Sequence, residues 1–224
     1  MKWLLALLIV LVLVVSGCNV AQKTNSNDQC TSFNSAARDN CYAEALRCSK
    51  IKDTQVRDSC VAELAKTKKD AAVCNLIKSE MTKGYCFEQI AELTNNHDLC
   101  NEIGVMYWSD NCNSNLAISN TDETYCYMIS NEQQKDQCFK TIATTTNNQL
   151  LCDVIIDRTE KTSCFAKIAI NTKNVEICQL IDDSIGRDTC RSKLAELTKN
   201  PALCDLIGLS DMRVLCHEKV DNLN

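Results

Sequence analysis

The chain is expected to fold as an all-α solenoid of about seven 26-residue helical hairpins, each closed by a disulfide. Three observations point there. From Cys48 onward the cysteines fall at 48, 60, 74, 86, 100, 112, 126, 138, 152, 164, 178, 190, 204 and 216, with steps alternating 12 and 14. A fixed period of this length is the signature of a repeat architecture. Other columns keep the same period: Ile lies three residues after the first Cys of every unit, from Ile51 and Ile77 to Ile207. Finally, 224 residues contain only five Gly and one Pro, too few for a fold built on β-turns.

Each column has a physical reading. Asp70, Asn96, Asp122, Asn148, Asn174 and Asn200 stand four residues before the first Cys of units two to seven. Asp and Asn there act as N-caps, because the side-chain oxygen accepts the orphan N–H groups of a first helical turn. Pro201 follows Asn200 at the first helical position, where a missing N–H costs nothing. The preceding aliphatic, the Cys and the Ile form an i, i+1, i+4 stripe, which is one helix face. Four residues after the second Cys lie Leu64, Ile90, Leu116, Ile142, Ile168, Leu194 and Val220. The next position is Ala in six units, Ala65 to Ala195, and Asp221 in the last. An Ala there lets another backbone approach closely.

The expected unit is therefore a short helix A from the Asn/Asp cap to one turn past the first Cys, then a loop of about four to six residues, then a helix B of about 10 to 12 residues. Helix B is expected to start near Arg57-Asp58, Lys135-Asp136 and Arg187-Asp188 and to end near Thr-x-Asn, as in Thr94-Asn95-Asn96. Helices this short are marginal alone in water and need a neighbour and a staple.

Two disulfide schemes respect the period. Joining cysteines 12 apart consumes all fourteen, and joining those 14 apart strands Cys48 and Cys216. The 12-step pairs are also nearly symmetric about the A–B loop. They are Cys48–Cys60, Cys74–Cys86, Cys100–Cys112, Cys126–Cys138, Cys152–Cys164, Cys178–Cys190 and Cys204–Cys216. Upstream the period fails. Arg38-Asp39-Asn40-Cys41 matches the start of a helix B, so Cys30–Cys41 would close a degenerate first unit running straight into the next helix A. The spacing also leaves open Cys30–Cys48 with Cys41–Cys60.

The N-terminus reads as a targeting segment. Lys2 precedes an apolar run from Trp3 to Val15, too short for a bilayer span of about 20 residues. The run ends in Val15-Ser16-Gly17-Cys18, which resembles a prokaryotic lipobox: an aliphatic residue, two small residues, then Cys. The resemblance implies cleavage before Cys18 and lipid on its thiol. The preferred first residue of that motif is Leu, and Val15 is a variant. Residues 1–17 are thus expected to be a signal peptide, 18–29 a polar tether, 30–47 the degenerate capping unit and 48–224 the repeat domain. The expected location is outside the cytoplasm, held to a prokaryotic cell membrane through Cys18. Removing Cys18 from seventeen cysteines leaves sixteen, an even number suited to a disulfide framework in an exported protein.

Tandem helical hairpins resemble the tetratricopeptide and Sel1-like repeats, and the staples make the exported cysteine-rich Sel1-like proteins the nearest likeness. The likeness covers about residues 30 to 220 and is architectural, since the 26-residue period is shorter and the Gly/Ala signature of those families is missing. It implies a scaffold with a binding groove, rather than an enzyme.

A net charge of −5, with both signs spread evenly, gives no footprint for nucleic acid. The two His, His97 and His217, occupy different columns and read as surface residues. No Cys-x-x-Cys, phosphate loop or nucleophile elbow occurs, so no metal, cofactor or catalytic residue is expected. Asp157 and Asp182-Asp183 are expected in solvated A–B loops. One loop departs from the polar pattern: Val105-Met106-Tyr107-Trp108, whose Met106, Tyr107 and Trp108 are candidate contacts for a protein or peptide partner. The alternative is that they fold back on the local core. The functional expectation is a lipid-anchored, non-enzymatic binding or structural module, with a thiol-based redox or metal-handling surface protein as the alternative.

Overall fold

The computed structural model describes residues 28–223. The lipobox, Cys18 and most of the tether lie outside them. The described chain is helical, with no strand among the described residues. Nine α-helices follow in order: α1 (Ser35–Glu44), α2 (Thr54–Lys68), α3 (Glu80–Thr94), α4 (Met106–Asn120), α5 (Glu132–Thr146), α6 (Leu150–Val154), α7 (Arg158–Thr172), α8 (Ser184–Thr198) and α9 (Ser210–Asp221). None among the described residues is long and apolar enough to cross a membrane.

Each repeat is a hairpin, as its spacing implies, but the two arms differ from expectation. The first arm is a tight 3-10 segment such as Ala71–Leu76, His97–Glu102 or Val175–Leu180, widened to an α-helix only in α6. Six residues between a cap and an exit at Ile leave room for no more than two tight 3-10 turns, at three residues a turn. The expected cap residues perform as read: Asp70, Asn96, Asp122, Asn174 and Asn200 each accept from the N–H two residues on. The second arm is a 15-residue α-helix in α2 to α5, α7 and α8, longer than expected. It starts one turn earlier than Arg57-Asp58 because a second set of caps begins it. Asp53, Ser79, Asn131, Asp157 and Asp183 accept the N–H three residues on. Asp157 and Asp183 lie exposed in the A–B loops, as expected, and there they also cap the following helices.

The helices end on a repeated device. Lys69, Asn95, Thr121, Asn147, Lys173 and Lys199 all have φ between 51° and 55°. The next residue then donates its N–H back to the Ala of the unit, as in Asn96 to Ala91 at 2.9 Å and Asn174 to Ala169 at 3.0 Å. This six-to-one bond is a Schellman closure. It lets the fully buried Ala column serve both as a close-contact surface and as an acceptor.

All sixteen described cysteines are paired. The seven 12-step rungs form as read, and Cys30 pairs with Cys41, with Cα–Cα distances of 5.5 to 5.8 Å throughout. The expected run-through of α1 into the next unit does not occur. Leu46 takes φ 53°, which breaks the helix before a short turn at Cys48–Lys50. Asp28 is already part of the fold, accepting from Tyr42 Oη and Arg47 at 2.8 Å each.

Among the described residues substantial packing joins only elements of the same or adjacent repeat units, α2 on α3, α3 on α4, α5 on α7 and so on to α9. That one-dimensional pattern defines a solenoid. The buried Ile, Cys and Ala columns form its axis, but the core is not continuous. It divides into three clusters, one ending at Leu116, one running from Ala117 to Leu194 and one from Ala195 onward. The column after the second Cys explains the breaks. It is aromatic at Phe87, Phe139 and Phe165, but Asn113 and Arg191 occupy it where the clusters part.

Candidate functional site

The second helices of consecutive units lie side by side, so a groove runs between each pair. Two residues set what fills it: the residue two after the second Cys of one unit, and the residue four before the second Cys of the next. Between α2 and α3 these are Ala62 and Thr82, and a cavity of about 170 Å³ remains, with Ser59, Tyr85 and Gln89 in its walls. Between α7 and α8 they are Ala166 and Gly186, and an open depression of about 430 Å³ remains. Between α5 and α7 they are Lys140 and Glu160, which form an ion pair across the groove. Between α3 and α4 they are Glu88 and Trp108.

Trp108 fits because of a size exchange with its neighbour. A Cβ at Gly84 would lie 2.9 Å from Trp108 Cδ1. The same two columns meet again where Gly186 faces Thr162, and a Cβ there would lie 2.8 Å from Thr162 Cγ2. Small opposite large keeps the helix spacing constant. Val105-Met106-Tyr107-Trp108 is therefore not a loop. Val105 caps the helix without a side-chain bond, and the other three form the first turn of α4. Trp108 folds back over Gly84 and is half-buried, with its Nε1 enclosed and unbonded. Met106 and Tyr107 stay 62% and 59% exposed. Tyr85 joins them from α3, its ring 5.2 Å from that of Trp108, and Tyr107 meets Trp108 edge-on at 4.8 Å. Met81, one turn before Tyr85, is also exposed. The structure thus gathers an exposed aromatic and Met patch on the first two turns of α3 and the first turn of α4, of which the sequence pattern showed only the α4 half.

Below that patch, Glu88 sits one turn along α3 from Gly84. It is 4% exposed. Its hydrogen bond comes from Asn115 Nδ2 at 3.4 Å, and the same amide donates to Glu92. Burial, reinforced by the neighbouring Glu92, pushes the Glu88 carboxyl up to about 7. Beside them, Glu92, Asn115, Ile118 and Ser119 line an open depression of about 410 Å³. The signal for these residues was in the sequence. Between Lys83 and Lys135 there is no Lys or Arg, but there are eight Asp and Glu and four of the five Tyr. The expectation of evenly spread charge fails there.

His97 also departs from expectation. Half-buried, it hydrogen-bonds buried Asn113 through Nε2 at 2.6 Å and stacks on Tyr125 with ring centroids 3.8 Å apart. The pair takes the place of the Phe that other units put at Asn113. His217 does lie at the surface, 3.1 Å from Asp205.

A second set of buried carboxylates is structural. Asp39, Asp58, Asp110, Asp136 and Asp188 each accept two successive N–H groups from the A–B turn of the following unit, as Asp136 does from Ile156 and Asp157 at 3.0 and 2.8 Å. Burial raises the Asp58 and Asp188 carboxyls, but those N–H donors and the adjacent Arg57 and Arg191 outweigh it and hold both below the usual range. These latches explain the Arg/Lys-Asp pairs: they join units and do not start helices.

Among the described residues no group of three or more His, Cys, Asp or Glu is placed to hold a metal ion. Rungs, caps and latches together define a disulfide-stapled helical-repeat structural module. No family model matches the chain, and no curated protein or solved structure is similar to it.

Proposed function

We propose that the chain is a lipid-anchored, extracytoplasmic scaffold that binds a protein or peptide partner on the face made by its second helices. The observation that carries the reading is the exposed patch of Met81, Tyr85, Met106 and Tyr107 held on the N-terminal turns of α3 and α4. Soluble surfaces rarely gather large apolar groups without use, and Tyr and Met are favoured where partners dock. The Val15-Ser16-Gly17-Cys18 motif and the polar segment after it support the anchor. Eight disulfides suit an oxidising compartment. A module whose helices are fixed covalently keeps its surface preorganised, which lowers the ordering cost of binding.

Two measurements test the reading. Metabolic labelling with a fatty acid should mark the wild-type chain and not Cys18→Ala. Photo-cross-linking from position 107 on intact cells should give a discrete adduct that Tyr85→Ala/Met106→Ala weakens. Labelling of the Cys18→Ala chain overturns the anchor. An adduct pattern indifferent to the patch, or none, overturns the binding role.

A further inference from the structure

The groove between α3 and α4 differs from its equivalents in one respect that bears on the partner. Of the other charged residues in these columns, Lys66 and Glu218 lie exposed to solvent, and Lys140 and Glu196 have counterions from the chain. Lys140, at the Glu88 position, pairs with Glu160. Glu196, at the Glu92 position, has Lys193 at 3.4 Å and Lys219 at 3.1 Å. Glu88 and Glu92 share one amide donor and have no ion-pair partner among the described residues, and the sequence has no Lys or Arg in the 51 residues between Lys83 and Lys135. A carboxylate that is nearly fully buried with one long hydrogen bond is costly to keep ionised. At the other end of the groove stand Trp108 and Tyr85, whose ring faces attract cations.

We propose that this groove receives an Arg or Lys side chain from an extended basic segment of the partner, its charged head on Glu88 and Glu92 and its stem against Tyr85 and Trp108. The inference rests on the scaffold reading above and names the partner's chemistry. The open depression beside Glu92 and Asn115 leaves room for the charged head at that end of the groove. A guanidinium there would offer the donors that Asn115 alone supplies now, in the fork geometry that carboxylates accept. The eight acids of the band would draw a basic chain toward the site.

The test is a calorimetric titration of the oxidised chain with an amidated hepta-arginine peptide, with hepta-glutamate as the opposite-charge control. Hepta-arginine should bind and hepta-glutamate should not. Glu88→Gln/Glu92→Gln should weaken binding about tenfold or more, the range for removing close charge partners. Glu123→Gln/Glu132→Gln removes the same charge from the same band and should cost about threefold or less, a field effect alone. Equal losses in the two variants, or no binding to the wild type, overturn the proposal. A second readout needs no variant. The Glu88 carboxyl resonance should titrate at lower pH when the peptide is bound, and an unmoved titration overturns the proposal. A cellular partner cross-linked equally to wild type and Glu88→Gln/Glu92→Gln overturns the groove alone. Failure to cross-link any partner overturns the scaffold reading, and the peptide titration still decides the groove.

Discussion

The junction of α3 with α4 and the junction of α5 with α7 join 15-residue helices of the same repeat but have opposite interiors. At α5–α7 the core column is Phe139 and Phe165, both fully buried, and the groove above is closed by Lys140 on Glu160. At α3–α4 the column passes from Phe87 to Asn113, which hydrogen-bonds His97, and the groove holds two carboxylates with no ion pair among the described residues under an exposed aromatic patch. Rungs and helix closures are the same in both. Covalent and backbone devices set the repeat's geometry, so the side chains between them are free to serve stability in one place and recognition in another.

Reduction should separate the two most strongly. Each rung closes a loop of about a dozen residues, worth roughly 3 kcal/mol in the chain-entropy model, and eight of them exceed the roughly 5–15 kcal/mol of an ordinary domain. Fully reduced chain is expected to lose most of its helical circular dichroism at room temperature. Under graded reduction, amide exchange should rise first around residues 97–125, where one apolar cluster ends and the next begins. Uniform exchange along the chain would show that the seam carries no less stability than the Phe-filled units.

Point substitutions give the next largest contrast. Phe165→Ala should destabilise by about 3–5 kcal/mol, the usual cost of emptying a packed aromatic site. Asn113→Ala should cost less, about 1–3 kcal/mol, since what it removes is the partner of His97. Equilibrium urea melts of the oxidised variants read both. Equal costs would mean that the polar pair packs as well as Phe.

That contrast also marks what could be read before folding. The rungs, the first caps and the Ile and Ala columns were legible because each follows from a strict period and a local rule. The latching Asp column is visible as Arg57-Asp58 and Lys135-Asp136 but reads locally as helix starts, because its partners lie 20 and 21 residues away in the next unit. The second caps were hidden by their variety, Asp53, Ser79 and Asn131 filling one role. Trp108 looked like an exposed anchor, and only the juxtaposition with Gly84 turns it inward. The carboxylate pair was the least legible part. A gap in Lys and Arg is plain in the sequence, but which acids it leaves without counterions depends on how adjacent helices register.

Glu88→Gln tests that unpaired state through pH. The folded protein holds the Glu88 carboxyl up at about 7, above its ordinary value of 4.5, so the folded state binds the proton more tightly than the unfolded chain. Stability from this group is therefore complete below the unfolded value and is lost as pH rises from about 4.5 to 7. Gln mimics the protonated acid at every pH. The variant should match wild type near pH 4 and exceed it at pH 8 by about 1–3 kcal/mol. A gain that appears instead at low pH would refute the sign. Lys140→Met at the α5–α7 groove should go the other way, losing the small contribution of a partly exposed pair, up to about 1 kcal/mol.

The smallest expected difference lies at the helix ends. Thr121 closes α4 with φ 55°, and Asn147 closes α5 at the same angle. Asn adopts this left-handed conformation readily, while a β-branched Thr is crowded in it. Thr121→Asn would give α4 the closure α5 already has, with the Asp122 N–H still bonded to the Ala117 carbonyl at 2.9 Å. The exposed Thr121 side chain makes no contact that the change sacrifices in the core. Stabilisation of up to about 1 kcal/mol is expected, the range found when residues suited to positive φ replace crowded ones. It should appear as a shift in the denaturation midpoint with an unchanged slope. Asn147→Thr should produce the mirror-image loss, and if both changes are neutral, the strain at this column is taken up by the rungs rather than by the choice of residue.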